Sequence, residues 1–93
     1  MAKKKKNNTF HIKSQNNASF YGDITGGKIH LTSMVYGDDW DSEKHIDFSK
    51  EDTQYILSMM SIEEFRDFCA EKDLNGLYDF IKEHKLNPSI ITI

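Results

Sequence analysis

Two consecutive glycines, Gly26 and Gly27, separate two β-rich runs at residues 19–25 and 28–35. A two-residue connection of this kind needs positive φ at both central positions, and glycine, lacking a Cβ, adopts it without penalty. The segment therefore reads as a β-hairpin closed by a type I′ turn. Such a turn leaves no freedom of register: Thr25 pairs with Lys28, Ile24 with Ile29, Asp23 with His30, Gly22 with Leu31 and Tyr21 with Thr32. The faces follow from the two-residue period of a strand. Phe20, Ile24, Ile29, Leu31 and Val35 share one face, the expected core side. Tyr21, Asp23, His30, Thr32, Met34 and Tyr36 share the other, and a slip by one residue would exchange them.

Alternation also marks an earlier strand from Thr9, with Phe10 and Ile12 on one side and Thr9, His11 and Lys13 on the other. Gln15, Asn16 and Asn17 supply the reversal after it, since asparagine tolerates the left-handed conformation of tight turns. After the hairpin, residues 37–42 break the alternation and read as a loop. It resumes from Lys44 to Phe48, with Ile46 and Phe48 inward and His45 and Asp47 outward.

Helical signals begin at Ser49, whose hydroxyl precedes Glu51 and Asp52 at the positive end of a helix dipole. Tyr55, Ile56, Met59 and Met60 make that helix's apolar stripe. Ser61 and Glu64 form a capping box, and Met60 with Phe65 stands where a hydrophobic staple packs. The second helix buries Ile62, Phe65, Phe68 and Cys69. Asp73 is placed to cap a third helix running from Leu74 to about Leu86, with Leu74, Leu77, Tyr78 and Ile81 as its stripe. Asn87 and Pro88 end it, because proline disfavours helical geometry in the residue before it. The residues from Ser89 to Ile93 suit an edge strand.

Strands followed by helices, without βαβ alternation, predict an α+β fold. An antiparallel sheet of three to five strands, built by the N-terminal half, packs against two to three C-terminal helices. At 93 residues there is room for one such core, spanning residues 9–93. Residues 1–8 carry one charge sign and no apolar periodicity, and read as a disordered lysine-rich tail. No apolar run approaches the roughly 20 residues that span a bilayer, and the lysine-rich start lacks the apolar stretch expected of a secretory signal. Cys69 is the sole cysteine, so no internal disulfide can form, and a cytoplasmic protein is expected.

The net charge of −3 conceals an asymmetry, because Lys3, Lys4, Lys5 and Lys6 hold four of the twelve basic residues. Without them, eight basic residues face fifteen acidic ones, a balance of −7. A body that acidic repels phosphate backbones, which favours a basic protein partner and disfavours nucleic acid except through the four lysines, the alternative being a regulatory domain whose basic tail contacts nucleic acid. Small inhibitors of nucleic-acid-handling enzymes and immunity or anti-defence proteins share this size and charge, since carboxylates can occupy a groove built for phosphates.

Within that body, Asp38, Asp39, Trp40, Asp41 and Glu43 form the expected partner-binding segment. Tryptophan supplies an anchor of large area and low entropy, and carboxylates steer a basic partner toward it. A calcium loop starting at Asp39 would use Asp39, Asp41 and Glu43, but Lys44 and Lys50 occupy its glycine and glutamate positions. His11, His30 and His45 fall at outward strand positions, with Asp23 opposite His30 and Asp47 two residues after His45. His30, Asp23 and His45 are thus candidate ligands for a metal-dependent hydrolase or nuclease. No phosphate loop, nucleophile elbow or paired Cys-x-x-Cys is present, so a non-enzymatic, cofactor-free binding role is the leading expectation. Tyr21, Met34 and Tyr36 make the outward face too apolar for full solvation. One of the protein's own helices is expected to cover it, with a partner or second copy as the alternative.

Overall fold

The computed structural model describes residues 9–15, 17–36 and 41–93. In chain order these form β1 (Phe10–Gln15), β2 (Ala18–Thr25), β3 (Lys28–Tyr36), β4 (Asp41–Asp47), α1 (Lys50–Met59), α2 (Ile62–Glu83) and β5 (Ser89–Thr92). The strands make one antiparallel sheet in the order β1-β2-β3-β4-β5. This is the expected α+β architecture. Gly26 and Gly27 take φ of 62° and 76°, and β2 meets β3 in the anticipated register from Thr25 opposite Lys28 to Tyr21 opposite Thr32. That register carries into β4, placing Asp47 opposite His30 and His45 opposite Thr32.

Phe20, Ile29, Leu31 and Ile46 project from one face of the sheet into a core completed by Phe48, Ile56, Phe65, Cys69, Leu77, Phe80 and Ile81. Phe48 and Phe65 meet edge to face at 82°, a geometry that aromatic quadrupoles favour. The hinge between sheet and helices lies at Ile29. Its carbonyl accepts from the Phe48 N–H at 2.9 Å, beyond the last residue of β4. Its own N–H donates to Thr53 Oγ1 at 2.9 Å, so a helix side chain completes the ladder where the strand stops. This bond turns α1 so that Thr53 and Ile56 are buried, whereas Tyr55 and Met59, expected in its stripe, are exposed.

Ser49 and Ser61 cap the two helices, and both halves of the capping box at Ser61 and Glu64 are formed. The third helix appears as the second half of α2, beyond a break at Asp73, and it ends at Glu83. Asp73 has φ of 59° and ψ of −168°, a region that only glycine visits readily. The break folds the chain so tightly that a Cβ on Gly76 would lie 2.3 Å from the Lys72 Cβ.

Two sequence expectations about facing are corrected. A β-bulge between His11 and Lys13 rotates the end of β1, so Lys13 sits opposite Phe20 and reaches the helix side instead of pointing outward. There its ammonium pairs with Asp73 Oδ1 at 2.9 Å. Val35, expected in the core, is 39% exposed because it lies toward the strand end, past the helices' cover.

Gly76→Ala should destabilise the protein even though alanine favours helices by about 1 kcal/mol, and a lower urea midpoint would show it. Thr53→Val should cost about 1–3 kcal/mol by orphaning the Ile29 amide, read from the same denaturation curve and from faster exchange of that amide.

Candidate functional site

Both helices follow β4 and pack on the core side of the sheet, α1 against β3 and α2 against β1. Two helices suffice for one face only, so the expectation that a helix covers the outward face is corrected: among the described residues, none does. Strand alternation and register assemble this face from His11 on β1, Tyr21 and Asp23 on β2, His30, Thr32 and Met34 on β3, Glu43, His45 and Asp47 on β4, and Ile91 on β5. Thr32 is 4% exposed despite the open face, walled in by its cross-strand neighbours Tyr21 and His45. The Tyr21 hydroxyl donates to Met34 Sδ at 3.8 Å. Ile91 remains half exposed.

At the centre of this face two imidazoles meet. His30 Nε2 lies 3.2 Å from His45 Nδ1, and the ring centroids are 5.3 Å apart. His30 Nε2 is also 3.2 Å from Asp47 Oδ1, and His30 Nδ1 is 3.7 Å from Asp23 Oδ1. His45 Nε2 is hydrogen-bonded to Glu43 Oε2, and Thr32 Oγ1 stands 3.4 Å from His45 Nδ1. His11 stays apart, bonded to Ser14 Oγ at 2.7 Å. The fold thus gathers His30, Asp23 and His45, as the metal reading requires, and adds Asp47 and Glu43.

The cluster closes on itself, however. The two nitrogens of His30 turn to different carboxylates, and among the described residues no three His, Cys, Asp or Glu side chains are arranged to hold a metal ion. Beside it lies a cavity of about 300 Å³ lined by Asp23, Lys28, His30, Asp47 and Phe48. A second cavity, of about 210 Å³, sits under the helix break against Lys13, Phe20, Asp73 and Leu74.

Of the expected partner-binding segment, Asp38, Asp39 and Trp40 lie outside the described residues, as do Lys3, Lys4, Lys5 and Lys6. Asp41 begins β4 opposite Tyr36, and Glu43 follows opposite Met34. The third and fifth positions of the calcium loop are therefore strand residues, which overturns the loop geometry that reading needs. Glu43, expected in the loop, belongs to the sheet face, and its outward alternation with His45 and Asp47 is the signal for it.

Comparison with known proteins finds no match: no family model, no curated protein and no solved structure matches the chain. Among the described residues no helix is long and apolar enough to cross a membrane.

Cys69 is fully buried in the core, and that burial pushes its thiol up from 9.0 to about 12. With so little thiolate it makes a poor nucleophile. Cys69 should stay unmodified by a thiol reagent at pH 8 until urea unfolds the protein. Because the folded thiol holds its proton more tightly, stability should fall as pH rises above about 9, a loss absent from Cys69→Ala.

Proposed function

We propose that this chain is a small acidic binding module that takes a basic protein on the helix-free face of its sheet. The observation that carries this reading is the face itself: Tyr21, Met34 and Ile91 present apolar area beside the carboxylates of Asp23, Glu43 and Asp47. Among its described residues the one cationic side chain is Lys28, at the rim. Apolar area supplies contact energy, and the surrounding negative charge steers a partner of opposite sign and sets its orientation. In the sequence Asp38, Asp39 and Trp40 immediately precede β4 and add two carboxylates and an aromatic side chain, so Trp40 is the proposed anchor.

A body with a charge balance of −7 fits the groove of a nucleic-acid-handling enzyme. The proposed role is an inhibitor of such an enzyme, of the immunity or anti-defence type, in the cytoplasm, where a lone buried thiol is at home.

The test is affinity capture from the native host with four baits: the wild type, Tyr21→Ala with Asp47→Asn, Trp40→Ala with Asp39→Asn, and Gln54→Ala with Glu71→Gln on the helices. A basic protein should be retained by the wild type and the helix variant, weakened at least tenfold by the sheet variant, and released by salt. Equal capture by the sheet and helix variants would overturn the sheet face as the contact, and equal capture by the loop variant would remove Trp40 from it. A homodimer in size-exclusion chromatography that the sheet variant dissociates would assign the face to a second copy instead.

A further inference from the structure

We infer that Asp23, His30, His45 and Glu43 form a directional hydrogen-bonded chain with one open place, at His30 Nδ1, and that the sheet face takes up a single proton there on acidification.

The direction follows from what each group can donate. An ionised carboxylate only accepts, so the bond to Glu43 requires the proton of His45 to reside on Nε2. A neutral imidazole carries one N–H, which leaves His45 Nδ1 an acceptor. It accepts from His30 Nε2 at 3.2 Å, with the Thr32 hydroxyl at 3.4 Å as a second donor. His30 must then carry its own proton on Nε2, where Asp47 Oδ1 at 3.2 Å shares it. His30 Nδ1 is left bare, facing Asp23 Oδ1 across 3.7 Å.

An independent observation agrees. Among the described residues, Asp23 Oδ1 is the buried side-chain atom that has no hydrogen-bond partner. Two acceptors facing one another with no hydrogen between them account for both the long separation and the missing bond. A proton from solvent, added to His30 Nδ1, turns that contact into a charge-assisted hydrogen bond and leaves every other bond of the chain in place. On the two rings, a second proton has only His45 Nδ1 to go to. There it would abolish the bond from His30 and set two imidazolium rings 5.3 Å apart.

The charged groups around the pair are Asp23 on β2, Glu43 and Asp47 on β4, and Lys28 at the start of β3. On β5, the residues opposite Asp47 and His45 are Ser89 and Ile91, neither titratable. His11 on β1 lies beyond Tyr21 and bonds elsewhere. One proton therefore takes the described charges of the face from −2 to −1. If the face binds a basic partner, as proposed above, acidification loosens that partner.

The test needs no partner. Long-range proton–nitrogen NMR on the full chain, from pH 8.5 to 5, reads the tautomer and charge of each ring. At the alkaline end both His30 and His45 should be Nε2–H tautomers. On acidification His30 should gain its Nδ1 proton while His45 stays neutral until that transition is complete. Asp23→Asn offers an amide donor to His30 Nδ1 and should move the His30 transition to lower pH. An Nδ1–H tautomer of His30 at pH 8.5, or concerted titration of both rings, would overturn the inference, and the wild type alone decides this if a variant misfolds. The two claims fail separately: the expected tautomers without capture of a basic protein defeat the binding role, and capture with the wrong tautomers defeats the proton chain.

Discussion

The register of the β2–β3 hairpin is the constraint on which the molecule depends. Gly26 and Gly27 hold positive φ in a two-residue turn, so Thr25 and Lys28 must pair, and every later pairing counts from there. The same count sends Phe20, Ile29 and Leu31 to the core and Asp23, His30 and Thr32 to the opposite face. A slip of one residue would bury a histidine or a carboxylate while exposing core residues of the same strand, a cost that no local rearrangement could offset. Core and candidate site are thus two outcomes of a single geometric choice.

The helices reinforce that choice at one point in particular. Ile29 has its carbonyl bonded to Phe48 and its amide to Thr53, so β3, the end of β4 and the first helix converge on one backbone unit. Because Thr53 is buried and its hydroxyl is used, α1 can sit in only one rotation on the sheet. Both helices are committed to the core side in this way, and the other face is left to Tyr21, Met34, Ile91 and the histidine–carboxylate cluster.

Much of this was legible locally. The hairpin, the serine caps, the edge strand from Ser89 and the break at Asp73 all rest on rules that act within a few residues, and all are present. What escaped is non-local or depends on one extra residue. The bulge in β1 reverses Lys13, and only its pairing with β2 exposes that. The stripe of α1 read from periodicity included Tyr55 and Met59, but the bond from Ile29 to Thr53 rotates the helix away from them. For the site, strand alternation selects His30, Asp23 and His45, but nothing local places His45 beside His30. Glu43 was assigned to the loop because β4 begins at Asp41, earlier than the alternation showed.

By itself, the sequence determined the class of fold, the register of the hairpin and which side chains leave each face of β2 and β3, because turn chemistry and strand periodicity are local. Tertiary structure alone decided that β4 pairs with β3, that both helices occupy one face, and that two imidazoles and three carboxylates meet on the other. Those outcomes depend on contacts between residues far apart in the chain, such as the 24-residue span from Ile29 to Thr53, which no local pattern encodes.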